Sequence, residues 1–255
     1  MKKLISYIFM DMLKSRIIIA YALFLLMVSL VLFSLDDNPG KSLLSILNIA
    51  IIVVPLVSMI FSTIHYYNSY EFLELLLAQP MSRSAILWCE FAALCAALTL
   101  AILTGLGIPS LLYFPGTESL WMIVSISLLS LSCAAIALLI SIRTRDKARG
   151  IGISLLVWFY FSLIFDGLIL LILFSFSDYP LEKFTLALIA LNPIDLSRVT
   201  IMLQLDISAL MGYTGALLKS FFGTAYGLAA TTFVLILWIL VPFSLALKSF
   251  RKKDM

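Results

Sequence analysis

Two stretches of this chain set polar residues into apolar surroundings in a pattern that could bind a partner. The first is YEFLELLLAQPMSRSAIL, Tyr70 to Leu87, where two carboxylates, a Gln-Pro break and an Arg interrupt long apolar runs. Read as a helix from Tyr66 to Ala78, it puts Glu71, Glu74 and Ala78 on one face and Phe72, Leu75, Leu76 and Gln79 on another. Pro80 ends that helix by withholding an N–H. Ser82 can cap the next one, and Arg83 opens it. An amphipathic element between two membrane-length segments has docking as its chemistry, because a partner that pushed on it would tilt both neighbours. The competing reading is a helix that floats its leucines in lipid. The second stretch is LNPIDLSRV, Leu191 to Val199. Asn192 can cap a helix, Pro193 fits its first turn, and Asp195 suits the positive end of the dipole. Leu196, Val199, Met202 and Leu203 mark an apolar face, which leaves Asp195, Arg198 and Asp206 expected on the wet side.

Patterns that carry catalysis are not found in the sequence. The single histidine, His65, is expected to be an interface residue. An intramembrane metalloprotease needs several His or acidic ligands facing one cavity, and neither a paired intramembrane Asp nor a Ser–His set is visible. Gly40-Lys41-Ser42 resembles the end of a phosphate-binding loop, but the position of its first glycine is Leu35. The chain is therefore not expected to hydrolyse ATP by itself. Cys89, Cys95 and Cys133 form no CxxC, and Cys89 and Cys95 point about 240° apart around a helix. Of the methionines, Met202 and Met211 alone fall close together on the outer side, so no copper relay emerges. No cofactor or metal is expected to bind this chain directly. Glu90, early in the third apolar run, can snorkel to the interface. Asp166, about 22 Å along the fifth, is expected to mark where that span ends or bends beside Gly167.

The elements that must position these residues are membrane helices. Of 255 residues, 63% are hydrophobic and 12% charged, with a mean hydropathy of +1.13. A soluble domain carries about 25% charged residues, so the solvent here is lipid. Six runs reach the roughly 20 residues a bilayer core requires: Ile17–Leu35, Leu43–Ile64, Ile86–Phe114, Leu120–Ile142, Ile151–Phe174 and Tyr226–Leu247. The third has a weak point at Gly105, Gly107 and Pro109. Of 17 basic residues, 13 lie before the first span, between the second and third, after the fourth, and after the last. By the positive-inside rule both termini are cytoplasmic. Ser175–Thr224 lies on the other side and is expected to hold interfacial or re-entrant helices. The apolar run from Ile17 is too long for a signal peptide and is expected to be a retained anchor. A net charge of +3 makes nucleic acid an unsuitable partner. The expected fold is a single all-α integral membrane domain over residues 1–255.

Glu71–Arg83, running from acidic residues through LLLAQP to MSR, resembles the cytoplasmic coupling helix of type-2 ABC exporter permeases. Six spans, cytoplasmic termini and a re-entrant or interfacial element before the last span also resemble that family. The resemblance implies a transport subunit of a bacterial inner membrane, acting as a homodimer. It implies that Glu71, Phe72, Glu74, Leu75, Gln79, Pro80 and Arg83 couple to a cytoplasmic ABC ATPase that binds ATP-Mg. It also implies that Asn192, Pro193, Asp195 and Arg198 belong to a periplasmic helix that gates or meets a partner. Within the family the chain is most similar to NosY-like permeases, on Glu74–Arg83, Leu191–Val199 and its compact length. That implies a role in copper-site assembly of nitrous oxide reductase, with a periplasmic solenoid protein and a copper chaperone as partners. An exporter of a lipid, glycan or antibiotic is the alternative cargo class. An intramembrane enzyme and a membrane scaffold without transport are the alternatives of other kinds.

Overall fold

In lipid, backbone groups must find their partners within the protein, and helices do this locally. The computed structural model describes residues 2–35, 38–78, 81–175, 187–204 and 225–252. Among them every regular element is helical: α1 (Lys2–Leu13), α2 (Arg16–Leu35), α3 (Pro39–Asn68), α4 (Tyr70–Leu77), α5 (Arg83–Ile102), α6 (Ile108–Tyr113), α7 (Thr117–Arg143), α8 (Lys147–Phe159), α9 (Phe165–Ser175), α10 (Pro193–Gln204) and α11 (Ala225–Lys252). Among the described residues, six helices are long and apolar enough to cross a membrane: Arg16–Leu35, Pro39–Asn68, Arg83–Tyr113, Thr117–Arg143, Lys147–Ile172 and Gly227–Lys252. They coincide with the six apolar runs of the sequence.

The fourth span, α7, is the centre of the bundle, with 67% of its apolar window buried. It packs against α3, α5, α10 and α11. Small residues let these backbones approach, among them Ala93, Ala97, Ala101, Ala134, Ala135 and Ala137, all buried. Hydroxyl pairs add directional contacts: Ser58 Oγ lies 2.6 Å from Ser130 Oγ, and Thr63 Oγ1 lies 2.8 Å from Ser154 Oγ.

Two spans contain a wide π turn. Ile108 N–H bonds Leu103 O in the third span, and Phe165 N–H bonds Tyr160 O in the fifth. Such turns loosen the helical ladder and leave carbonyls seeking donors. In both, a side chain from another element supplies one: Ser29 Oγ donates to Gly105 O at 2.8 Å, and Asn192 Nδ2 donates to Phe161 O at 2.8 Å. The weak point expected at Gly105 and Gly107 is therefore a π turn. Of the two expectations at Asp166, an end or a bend of the fifth span, the end is excluded. The span widens at Tyr160–Ile164 and continues as α9 to Ser175, since the π turn absorbs the irregularity without breaking the helix.

Two further expectations are corrected, and one motif is placed. The helix read from Tyr66 to Ala78 is interrupted at Ser69, where α3 stops and α4 starts. Gly40 and Lys41 belong to the first turn of α3, capped by Asn38, whose Oδ1 accepts from Gly40 N–H at 3.0 Å. Asp206 lies outside the described residues, and α10 does not turn Asp195 to a wet side. It is enclosed, with Ile194, Asp195, Leu196, Ser197, Val199, Thr200 and Ile201 all buried, because α3, α7 and α11 surround it.

Gly105 allows the closest helix approach. A Cβ there would sit 2.6 Å from Leu25 Cβ and 2.9 Å from Ala22 O of α2. Gly105→Ala should therefore force α2 off the third span, costing about 1–3 kcal/mol by overpacking. Thermal unfolding of the purified protein checks this, and an unchanged Tm would show that the two spans do not depend on the contact.

Candidate functional site

The termini-bearing end of the bundle is knitted together by polar contacts. Tyr67 Oη donates to Thr144 O at 3.1 Å, and Lys147 Nζ donates to Asn68 Oδ1 at 2.7 Å. Arg251 Nε donates to Ser84 Oγ at 2.8 Å, and Arg83 Nη1 donates to Arg251 O at 3.3 Å. This basic end thus joins the ends of spans two, three, four and six, with the start of span five. α4 lies across it, packed on α3 and α5. Leu73 and Leu76 point inward and are buried. Glu71, Glu74, Leu75 and Ala78 face outward, Leu75 at 69% exposure. Leu75 therefore shares the face of the two glutamates rather than that of Leu76. Phe72 is half-buried, its ring 5.9 Å from that of Tyr7 in α1. Ser82 caps α5 by accepting from Ala85 N–H at 3.3 Å. Gln79 and Pro80 lie outside the described residues.

Two residues assigned to the interface turn out to face each other inside. Glu90 is 1% exposed, so it does not snorkel. His65 Nε2 lies 2.8 Å from its Oε1. The residues are 25 apart in sequence and on different spans, so no local pattern announced the pair. α1 was also missed, although Leu4, Ile5, Ile8 and Met12 recur at helical spacing.

The second assembly forms around α10. Phe161 and Trp238 each lie about 21 Å along their helices from the basic end, at 1.5 Å per residue. Asn192 bonds Phe161 O, and Trp238 Nε1 donates to Ala190 O at 3.1 Å. The start of α10 therefore reaches deep between the spans, as a re-entrant helix does. Asn192 is fully buried and bonds three ways: to Phe161 O, to Asp195 Oδ2 at 2.7 Å, and from Ile194 N–H at 3.0 Å. It caps the helix as expected, with Pro193 in the first turn. Arg198 Nη1 lies 2.9 Å from Asp166 Oδ2 and 3.8 Å from Asp195 Oδ1. Asp166 is thus the partner of Arg198.

The chain matches the family model described as ABC-2 family transporter protein over residues 49–255. It belongs to that family. The matched region includes both α4 and α10, while α1 and α2 precede it. No curated protein matches the chain. As a member of the ABC-2 family it is a membrane permease subunit of an ABC transporter. Among the described residues, no group of three or more His, Cys, Asp or Glu is placed to hold a metal ion.

In this permease two carboxylates share one guanidinium. Asp195 is buried and also accepts from Asn192 Nδ2, so two acids and one amide surround a single guanidinium. Arg198→Met should cost about 1–2 kcal/mol, between surface and buried pairs. Asp166→Asn in the same chain should restore part of it, measurable as a double-mutant coupling.

Proposed function

We propose that this permease is the membrane half of an ATP-driven transporter, working as a homodimer in a bacterial inner membrane. The basic end faces the cytoplasm, because lysine and arginine are retained there. The observation that carries the reading is α4: an outward face of Glu71, Glu74 and Leu75 on an elbow joined to spans two and three. That face docks an ABC ATPase subunit, which binds ATP-Mg and supplies the motion, and the resemblance adds Phe72, Gln79, Pro80 and Arg83 to the coupling residues. A push on α4 levers α3 and α5 together, because α4 packs on both.

The second copy belongs against the fifth span. Only 11% of its apolar window is buried within one chain. Asp166 and Arg198 there are 33% and 29% exposed. A charge facing hydrocarbon at mid-membrane costs roughly 2.5–3.5 kcal/mol on insertion scales, so a second protomer or a water-filled path is the economical neighbour. α10, with Asn192, Pro193, Asp195 and Arg198, then lies beside that path on the periplasmic half and gates it.

The narrower proposal, a NosY-like permease serving copper-site assembly of nitrous oxide reductase, rests on the resemblance of Glu74–Arg83 and Leu191–Val199. It brings a periplasmic solenoid protein and a copper chaperone as partners, with transport or mechanical coupling as the task. Export of a lipid, glycan or antibiotic uses the same architecture.

Co-purification from bacterial membranes tests these proposals. The wild-type chain should bring down an ABC-type ATPase. Glu71→Lys with Glu74→Lys should reduce its recovery about tenfold, near 1.4 kcal/mol of docking energy, at unchanged membrane insertion. A periplasmic solenoid in the wild-type sample would place the permease with the NosY-like group. Recovery of the chain alone, indifferent to the substitutions, would favour a scaffold and overturn the docking role.

A further inference from the structure

A cavity of about 190 Å³ opens at the basic end, where four elements converge. Tyr7 and Asp11 of α1, His65 and Ser69 at the end of α3, Phe72 of α4 and Glu90 of α5 line it, with Ile8 and Asn68. A water takes about 30 Å³ of liquid, so there is room for a small organic group. Asp11 lies on the exposed side of α1, whereas Glu90 is 1% exposed. Neither Glu90 oxygen has a hydrogen-bond partner. His65 Nε2 is 2.8 Å from Oε1 but out of hydrogen-bond alignment, and the same nitrogen bonds Ser69 Oγ at 3.3 Å. A buried carboxyl without hydrogen bonds is costly and needs an account.

The lining has a consistent chemistry. It offers two carboxylates, the hydroxyls of Ser69 and Tyr7, the His65 imidazole, the Asn68 amide and two aromatic rings, Tyr7 and Phe72, which lie 5.9 Å apart and tilted by 36°. Among the described residues, no Lys or Arg lines it. Lys147 reaches Asn68 Oδ1 at 2.7 Å but is not part of the lining. Carboxylates complement the charge and donors of an ammonium, and aromatic faces attract cations.

We propose that this cavity binds an organic primary ammonium, with Glu90 as the inner anion, Asp11 as the outer one, and Tyr7 and Phe72 as the aromatic walls. The source is the headgroup of an aminophospholipid at the membrane face or a small free amine. An occupant touches α1, the end of α3, α4 and α5 at once. It therefore braces the elbow on which α4 turns, whatever α4 docks.

The full-length protein, reconstituted in nanodiscs of phosphatidylglycerol with or without phosphatidylethanolamine, provides the test. Lipid retention is read by native mass spectrometry, and thermal stability is read with added ethanolamine or matched potassium chloride. The variants are Glu90→Gln, which preserves volume, and Asp11→Asn, which changes only the exposed rim. Preferential retention of phosphatidylethanolamine, reduced by roughly tenfold in each variant, the scale of one charge-assisted hydrogen bond, would identify the lipid source. Stabilisation by ethanolamine in phosphatidylglycerol alone, lost in Asp11→Asn, without such retention, would identify a free amine. Equal retention of both lipids with no effect of ethanolamine would overturn the proposal. So would an equal response to potassium chloride, or binding unchanged by both substitutions. If Glu90→Gln fails to fold, Asp11→Asn alone decides.

Discussion

A lipid bilayer offers a protein no hydrogen-bond partners, and the structure of this permease is arranged around that lack. Helices meet most of the demand by themselves. Part of the remainder arises at the two π turns and at Pro55 within α3. At these three a donor from another element stands close by. Ser29 serves Gly105 O, and Asn192 serves Phe161 O. Trp158 Nε1 donates to Ile52 O at 3.2 Å, next to the carbonyl that Pro55 leaves without its helical N–H. These contacts also fix which helices are neighbours, because a donor must come from one particular place.

The same demand accounts for the insertion of α10. A re-entrant helix begins inside the membrane with unpaired N–H groups and a positive dipole end. Asn192 caps that end and simultaneously ties it to the π turn of the fifth span. Asp195 and Asp166 both lie near it, and Arg198 faces the two of them, 2.9 Å from Asp166 Oδ2 and 3.8 Å from Asp195 Oδ1. The polar residues that suggested a wet face are therefore the ones that let α10 be buried.

Much of this was legible in the residues. Runs of about 20 apolar residues are long enough to announce spans without ambiguity. Ser82 and Asn192 announced helix starts, because capping is local chemistry. Gly105 and Gly107 announced a weak point, though not that it takes the form of a π turn against Leu25. What the sequence withheld was facing. Inside an almost uniformly apolar span, periodicity carries little contrast, so nothing showed that Glu90 turns inward to His65 or that Asp166 meets Arg198. Both pairings join residues distant in the chain, which only packing can reveal. Leu75 shows the same limit on α4. In an eight-residue helix with four leucines, spacing alone did not separate the leucines that anchor it, Leu73 and Leu76, from the one that faces out.

The placement of α3 brings the two polar assemblies into one mechanical frame. It packs against α4 at the basic end and against α10 toward the other, and Pro55 interrupts its ladder between its ends. A rigid rod would carry any displacement of the elbow straight to α10. A rod with a weakened turn lets one half tilt while the other is held by Asn192 and the Asp166–Arg198 pair. On the proposed coupling, that polar cluster sets the energy needed to free α10, and the bracing of the elbow sets the force that reaches it. The cavity around Glu90 lies at that elbow, so the proposed occupant would stiffen the drive at one end of a lever whose load the cluster holds at the other.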